Sequence, residues 1–292
     1  MRERAVSGMK GRRLHRVRVR VSDLYRVMTS PARPLPDFII IGGQKCGTTS
    51  LYNYLAEHPS VVPARNKETR FFHTRRYERG ALLYRATFPT RADLRRAATG
   101  DGRLVTGEAT PGYLFFPQVP GRVRKTVPQA KLIALLRNPV DRAYSHYHHK
   151  VRIGKEAIPF EEAIDREEER LAGEVERALE DPRYYSYNLD QYSYLRRGIY
   201  VDQLKAWRSF FPEEQLLILR SEDLYEDAPA VVGRTLEFLG LPAMSTEGYA
   251  KYNAGGYAEQ MDPALRERLV EYFRPHNQRL YEYLGRDFGW DR

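Results

Sequence analysis

The chain has 292 residues, 42% of them hydrophobic and 12% aromatic, enough to bury the core of one large α/β domain, and it contains no apolar run near the ~20 residues that cross a bilayer. One cysteine, Cys46, excludes an intrachain disulfide, and the basic N-terminus lacks the apolar stretch of a secretory signal, so a reducing, cytoplasmic setting is expected. The formal charge of +10 is concentrated in residues 1–36, which hold ten Lys/Arg and two acids, so a near-neutral body without a nucleic-acid motif argues against a nucleic-acid partner.

Taken in chain order, residues 1–36 read as a basic, flexible tail and linker whose Arg12–Arg20 stretch is a candidate for peripheral contact with an anionic membrane surface. Pro31, Pro34 and Pro36 make a stiff linker, and a single domain is expected over 37–292. Phe38–Ile41 is a β-branched strand signal. Two glycines, Gln44, Lys45, Cys46, Gly47, Thr48 and Thr49 follow, then a helical stretch from Ser50 that ends before Pro59, where His58 is expected to cap. Ser60–Val62 suits a short strand, residues 66–72 a polar-then-aromatic loop, residues 76–100 an Arg-rich helix, and Leu104–Glu108 a further strand. Lys131–Leu136 is a continuous apolar run of the buried parallel type, and Val140–Val151 a helix with Pro139 in its first turn. Residues 151–182 carry eleven acids against five bases, which reads as a solvated helical excursion, with a tyrosine-rich segment after it. Leu204, Trp207 and Phe211 share a helix face, Leu216–Leu219 is another buried strand, and Val231–Leu239 and Asp262–Leu284 are amphipathic helices. The alternation predicts an α/β fold with a central, mostly parallel sheet flanked by helices.

The chemistry centres on the turn after the first strand. Glycines that permit close backbone approach, a lysine and hydroxyls at a helix N-terminus hold a phosphate-like or sulfate-like anion. A nucleotidase loop places lysine after the last glycine, whereas here Lys45 precedes Gly47, and no strand ends in a magnesium-holding aspartate. The order Gln-Lys-x-Gly-Thr-Thr instead resembles the 5′-phosphosulfate loop of sulfotransferases that use 3′-phosphoadenosine 5′-phosphosulfate (PAPS). Leu135–Ser145 resembles that family's 3′-phosphate motif, with Arg137 and Ser145 as the phosphate ligands. Lys67-Glu68-Thr69-Arg70-Phe71-Phe72 resembles the Lys-Glu-x-x-Phe-Phe segment of the heparan sulfate N-sulfotransferase and 3-O-sulfotransferase domains, whose glutamate is the catalytic base.

The resemblance spans about residues 36–292 and implies a P-loop-NTPase-like three-layer fold. It implies PAPS as donor, adenosine 3′,5′-bisphosphate as product and no metal. Gln44, Lys45, Cys46, Gly47, Thr48, Thr49 and Ser50 would cradle the phosphosulfate, Lys45 would stabilise the leaving group, Glu68 would be the base and His149 would assist on the acceptor side. His146 and His148 are expected to be structural. Tyr249 and Tyr252 are candidates for stacking on the adenine, Gly255 and Gly256 form the late donor loop, and residues 151–195 face the acceptor. Two basic positions of the heparan enzymes differ: Ala109 follows Glu108 where they have lysine, and Asn253–Tyr257 replaces their Gly-Arg or Gly-Lys. The acceptor is therefore expected to be a glycan, glycolipid or small molecule, with a lean toward an uncharged or cationic one. The rival readings are a P-loop phosphotransferase and a non-enzymatic basic binding protein.

Overall fold

A parallel sheet of four strands runs through the centre of the molecule, in the order β2-β1-β3-β4. The computed structural model describes residues 23–97, 103–181, 183–244 and 260–291. The strands are β1 (Phe38–Gly42), β2 (Gly107–Ala109), β3 (Lys131–Leu136) and β4 (Leu216–Arg220). The principal helices are α1 (Thr48–Ala56), α2 (Pro139–Arg152), α3 (Tyr200–Arg208), α4 (Ala228–Leu239) and α5 (Pro263–Leu284).

Strand alternation divides the interior into two cores. Ile39 and Ile41 of β1, with Leu132, Ala134 and Leu136 of β3, face a cluster containing Phe72, Tyr84, Leu204, Trp207 and Leu280. Phe38 and Ile40, with Ile133 and Leu135, face Leu51 and Leu55 of α1 and Val232 and Leu236 of α4. Every residue of β1 is buried, because sheet neighbours flank it and helices cover both of its faces. A third cluster, including Val140, Ala143, Phe160, Tyr194 and Phe273, fastens residues 158–199 to α2 and α5. Among the described residues no helix is long and apolar enough to cross a membrane.

Several boundaries differ from the sequence-based expectation. Ser60–Val62 contributes only an isolated parallel bridge, Val61 to Val105, and the strand expected over 104–108 forms instead at Gly107–Ala109. The helix expected over 76–100 is broken, with a turn at Tyr77–Arg79 and short helices at Ala81–Arg85 and Arg91–Ala97. Gly80 at φ 82° interrupts the first part, and Pro89 disfavours α conformation at Phe88, where the chain bends. β4 is only half-buried at Leu217, Ile218 and Arg220, since it is an edge strand. Residues 1–22 of the basic tail lie outside the described residues, yet ordered contacts begin before Asp37. Arg26 donates to the carbonyls of Ala86 and Phe88 at 2.6 and 3.0 Å, and Arg33, 2% exposed, also reaches the Phe88 carbonyl.

The acidic excursion is not simply solvated. It folds as short helices at Phe160–Asp165, Glu167–Leu171, Glu174–Glu180 and Tyr187–Gln191, and several of its acids turn inward. Glu167 accepts the backbone N–H groups of Leu195 and Arg196 at 2.6 and 2.8 Å. Glu174 accepts from the Tyr184 and Ser186 hydroxyls, and Glu156 from Arg170 and the Tyr194 hydroxyl. These carboxylates give partners to buried and part-buried donors of the tyrosine-rich segment.

Gly107 shows how tightly the sheet is packed. It pairs with Phe38, and a Cβ placed there would lie 2.5 Å from atoms of the buried Phe38 ring. Gly107→Ala is therefore expected to destabilise the fold by about 1–3 kcal/mol, the usual scale of overpacking. Urea unfolding should show a lower midpoint at unchanged slope, and an unchanged midpoint would mean that the ring moves aside freely.

Candidate active site

The carboxyl ends of β1 and β3 carry the two segments that the sequence reads as anion-binding elements. After β1 the chain turns through Lys45 at φ 70° and Gly47 at φ 82°, both left-handed, and α1 starts at once with Gly47 as its N-cap. At Gly47 a side chain would be strained by that φ and would crowd the Tyr225 hydroxyl at 3.2 Å. No side chain caps α1, so the first-turn N–H groups of Thr48 and Thr49 have no acceptor within the helix, and the positive end of its dipole lies there. The loop is held by the Gly43 N–H donating to the Leu135 carbonyl at 2.6 Å and the Ser221 hydroxyl donating to the Cys46 carbonyl at 2.7 Å.

Arg137, the residue after β3, donates to the Lys45 carbonyl at 3.4 Å, while its own carbonyl accepts from the Tyr200 hydroxyl at 2.9 Å. The second element thus reaches the first directly. α2 follows, with the Asn138 side chain accepting from the N–H groups of Val140 and Asp141. It carries Ser145, which is buried, and His149 one turn later. Burial lowers the Lys45 pKa, and Arg152 and Arg137 lower it further. Burial likewise pushes His149 down to about 4, with Lys45, Lys150 and Arg152 adding to the effect and Glu68 opposing it. The imidazole is neutral at neutral pH. Its Nδ1 lies 3.1 Å from Arg152 Nη2, and because a guanidinium only donates, the ring proton belongs on Nε2.

Glu68 lies in the same electrostatic neighbourhood. Its side chain is 43% exposed, and Lys67 Nζ lies 3.1 Å from Glu68 Oε1 while donating to Thr49 Oγ1 at 2.7 Å. One ammonium therefore ties the carboxylate to a hydroxyl of the anion loop. Lys67 was not singled out from the sequence. It opens the Lys-Glu-x-x-Phe-Phe segment, but no role was assigned to it, and its adjacency to Glu68 fits an ordinary surface pair equally well. Arg70, at φ 50°, pairs with Asp190 of the excursion at 2.7 Å. Burial opposes ionisation of Asp190, but Arg197, Arg70 and the Tyr185 hydroxyl outweigh it and lower the pKa. Lys150 is pushed down to about 8 by burial, against Asp190, and donates to Gln191 Oε1 at 2.8 Å, docking the excursion on α2.

Lys45, Glu68, Arg137 and His149 are thus brought together with the start of α1. Cys46 stands apart from the other cradle candidates. Its side chain is fully buried, with Sγ 3.9 Å from the Tyr200 hydroxyl, and its N–H donates to the Gly43 carbonyl at 3.2 Å. Both groups are engaged within the protein itself. Gln44 Oε1 is buried and has no protein partner. Tyr249, Tyr252, Gly255 and Gly256 lie outside the described residues. His146 is fully buried against Tyr194, and His58 accepts the Ser60 N–H at 3.0 Å, bracing the turn beyond α1. An apolar cavity of about 790 Å³, lined by residues such as Phe115, Phe116, Leu171 and Ile199, includes none of Lys45, Glu68, Arg137 or His149. Among the described residues no group of three or more His, Cys, Asp or Glu could hold a metal ion.

Comparison with known proteins places these features in context. Residues 35–253 match the model of the sulfotransferase domain. Human heparan sulfate glucosamine 3-O-sulfotransferase 6 is 32% identical over 281 residues, covering 88% of this chain and 74% of that protein. Bifunctional heparan sulfate N-deacetylase/N-sulfotransferase 1 of Caenorhabditis elegans is 27% identical, over 87% of this chain and 30% of its own length. A crystal structure of a sulfotransferase from Alicyclobacillus acidocaldarius superposes with a TM-score of 0.66 at 32% identity, covering 88% of this chain and 99% of that one.

Proposed function

The chain belongs to the sulfotransferase domain family, and from that premise we propose that it transfers a sulfuryl group from PAPS to a hydroxyl or amine of a glycan acceptor. The observation that carries this reading is the meeting of two anion-binding elements, with Arg137 Nη1 at the Lys45 carbonyl and the uncapped start of α1 beside them. A donor with phosphate at both ends needs two such elements in one crevice. The charge balance supports the same ligand. The ions that act most on Lys45 are the cations Arg152 and Arg137, and that mutual repulsion is relieved when a polyanion binds.

PAPS supplies a sulfuryl group already activated on a phosphate leaving group. The first-turn N–H groups of α1 and Lys45 meet the charge that develops on that leaving oxygen. Arg137 and Ser145 hold the 3′-phosphate, and Glu68 accepts the acceptor's proton as it attacks. Lys67 keeps Glu68 beside the loop, and the neutral His149, with its proton on Nε2, can donate to the acceptor. A cationic acceptor fits this surface poorly, because Arg70 acts on Glu68, Arg152 lies against His149, and the acids Glu156, Glu167 and Glu174 face inward. A glycan of the kind named for the relatives suits it better than the cationic small molecule allowed by the sequence.

Differential scanning fluorimetry tests the donor. Adenosine 3′,5′-bisphosphate should raise the melting temperature without magnesium, and stabilisation by ATP–Mg²⁺ alone would sink the reading. Incubation with ³⁵S-labelled PAPS and a panel of glycans then tests transfer. Arg137→Ala should weaken adenosine 3′,5′-bisphosphate binding by about 1.5–3 kcal/mol, the scale of a hydrogen bond to a charged group. Calorimetry would show it, and an unchanged affinity would place the 3′-phosphate elsewhere.

A further inference from the structure

The reaction scheme gives no role to Glu108, the middle residue of β2, although it is the most heavily bonded carboxylate at this end of the sheet. It is 0% exposed and cannot meet an acceptor. Its Oε1 accepts from the Tyr84 hydroxyl at 2.8 Å and the Tyr113 hydroxyl at 3.2 Å, and its Oε2 from the Thr110 hydroxyl at 2.6 Å. The Thr69 hydroxyl lies 2.8 and 2.9 Å from the two oxygens, and the Thr69 N–H donates to Oε2 at 3.3 Å. The residue gripped in this way is the one that follows Glu68.

The grip extends along the chain on both sides. Before Glu68, the Lys67 carbonyl accepts the Ala109 N–H at 2.9 Å. After it, the Arg70 N–H donates to the Thr110 hydroxyl at 3.3 Å, and the Phe71 N–H to the Tyr113 hydroxyl at 2.9 Å. Thr110 and Tyr113 are themselves donors to Glu108, so one buried carboxylate orients the hydroxyls that fix this loop. An unanchored loop would leave an exposed glutamate sampling many positions. An anchored one holds its backbone at a fixed distance from the start of α1.

We propose that Glu108 is a positioning residue for sulfuryl transfer, holding the Lys67–Phe71 backbone through Thr69, Thr110 and Tyr113 so that the Glu68 carboxylate stays beside the anion loop. This rests on the reading of Glu68 as the base. Glu108 touches neither donor nor acceptor and acts only through the loop. Its removal therefore lowers the rate of the chemical step and leaves the affinity for donor intact.

The test uses Glu108→Gln, which keeps the shape, and Thr69→Val, which removes the hydroxyl's two contacts with Glu108 while leaving the Thr69 N–H bond and the other hydroxyls around the carboxylate. Turnover of each is measured with labelled PAPS and the best acceptor, beside the affinity for adenosine 3′,5′-bisphosphate. The expected result is a kcat about 10–100-fold lower, the scale of a small misplacement of a reacting group, with donor KM and nucleotide affinity unchanged. In a Glu68→Asp background, where the carboxylate is already displaced, the loss should be smaller than in the wild type. Folded variants with wild-type kcat would overturn the proposal. So would equal loss in both backgrounds, or a parallel fall in nucleotide affinity, since these mark general loosening. Should Glu108→Gln fail to fold, Thr69→Val alone decides by the same readouts. The wild type and Glu68→Gln act as controls for the underlying reading. No nucleotide binding by the first, or full activity of the second, would remove that reading independently of Glu108.

Discussion

Lys45→Ala is expected to lower kcat by about 10³-fold, comparable with removing a donor that stabilises charge in an acyl-transfer transition state. Lys45 should matter more than a single neutral donor, because it carries a full charge in a half-buried setting where solvent screens it weakly. The same variant should be no less stable than the wild type. Lys45 sits among Arg137, Arg152 and Arg142, and its pKa is lowered by burial and by those cations. Taking away the charge relieves repulsion, so the ligand-free melting temperature should hold or rise while the stabilisation by adenosine 3′,5′-bisphosphate shrinks. Kinetics with labelled PAPS and paired thermal melts check both halves. A destabilised Lys45→Ala protein would mean that the side chain is structural, and an active one would move the leaving-group contact elsewhere.

Glu68→Gln should lower kcat by about 10²–10⁴-fold, the range for loss of a general base, and leave nucleotide affinity close to that of the wild type. Stability should hardly change. The side chain is 43% exposed and its pairing with Lys67 is a surface ion pair, a class that contributes little. Glutamine keeps the shape and can still accept a hydrogen bond, so loss of activity would report on the proton and not on packing. Turnover at the wild-type rate with a verified acceptor would remove Glu68 as the base.

Much of the fold was legible because its signals are local. Lys131–Leu136 forms a strand with the bounds expected from its apolar run, and α2 and α5 fall within a residue or two of expectation because Asn138-Pro139 and Asp262-Pro263 mark their starts. The strand, glycine turn and helix start from Phe38 to Ala56 were legible for the same reason. What stayed hidden depends on contacts between distant segments. Lys67 meets Thr49 across 18 residues, and Glu108 meets Thr69 across 39, so neither pairing leaves a periodic trace. Glu108 within a three-residue strand looks like an ordinary polar residue until its neighbours close over it. The acidic excursion misled for a related reason. A run of carboxylates looks solvated, and only the later backbone N–H groups of Leu195 and Arg196 and the hydroxyls of Tyr184 and Ser186 draw some of them inside.

Those inward acids affect how the protein could be re-engineered. An excursion built on the outside of a central sheet is a common place to exchange sequence. Here the segment cannot be transplanted by its outer residues alone, because Glu156, Glu167 and Glu174 form an internal truss that matches its own tyrosines and turns. Library design should therefore vary exposed positions such as Ile153 and Tyr187 and leave the truss intact. A chimera that imports a foreign excursion should carry the matching acids and hydroxyls as one block.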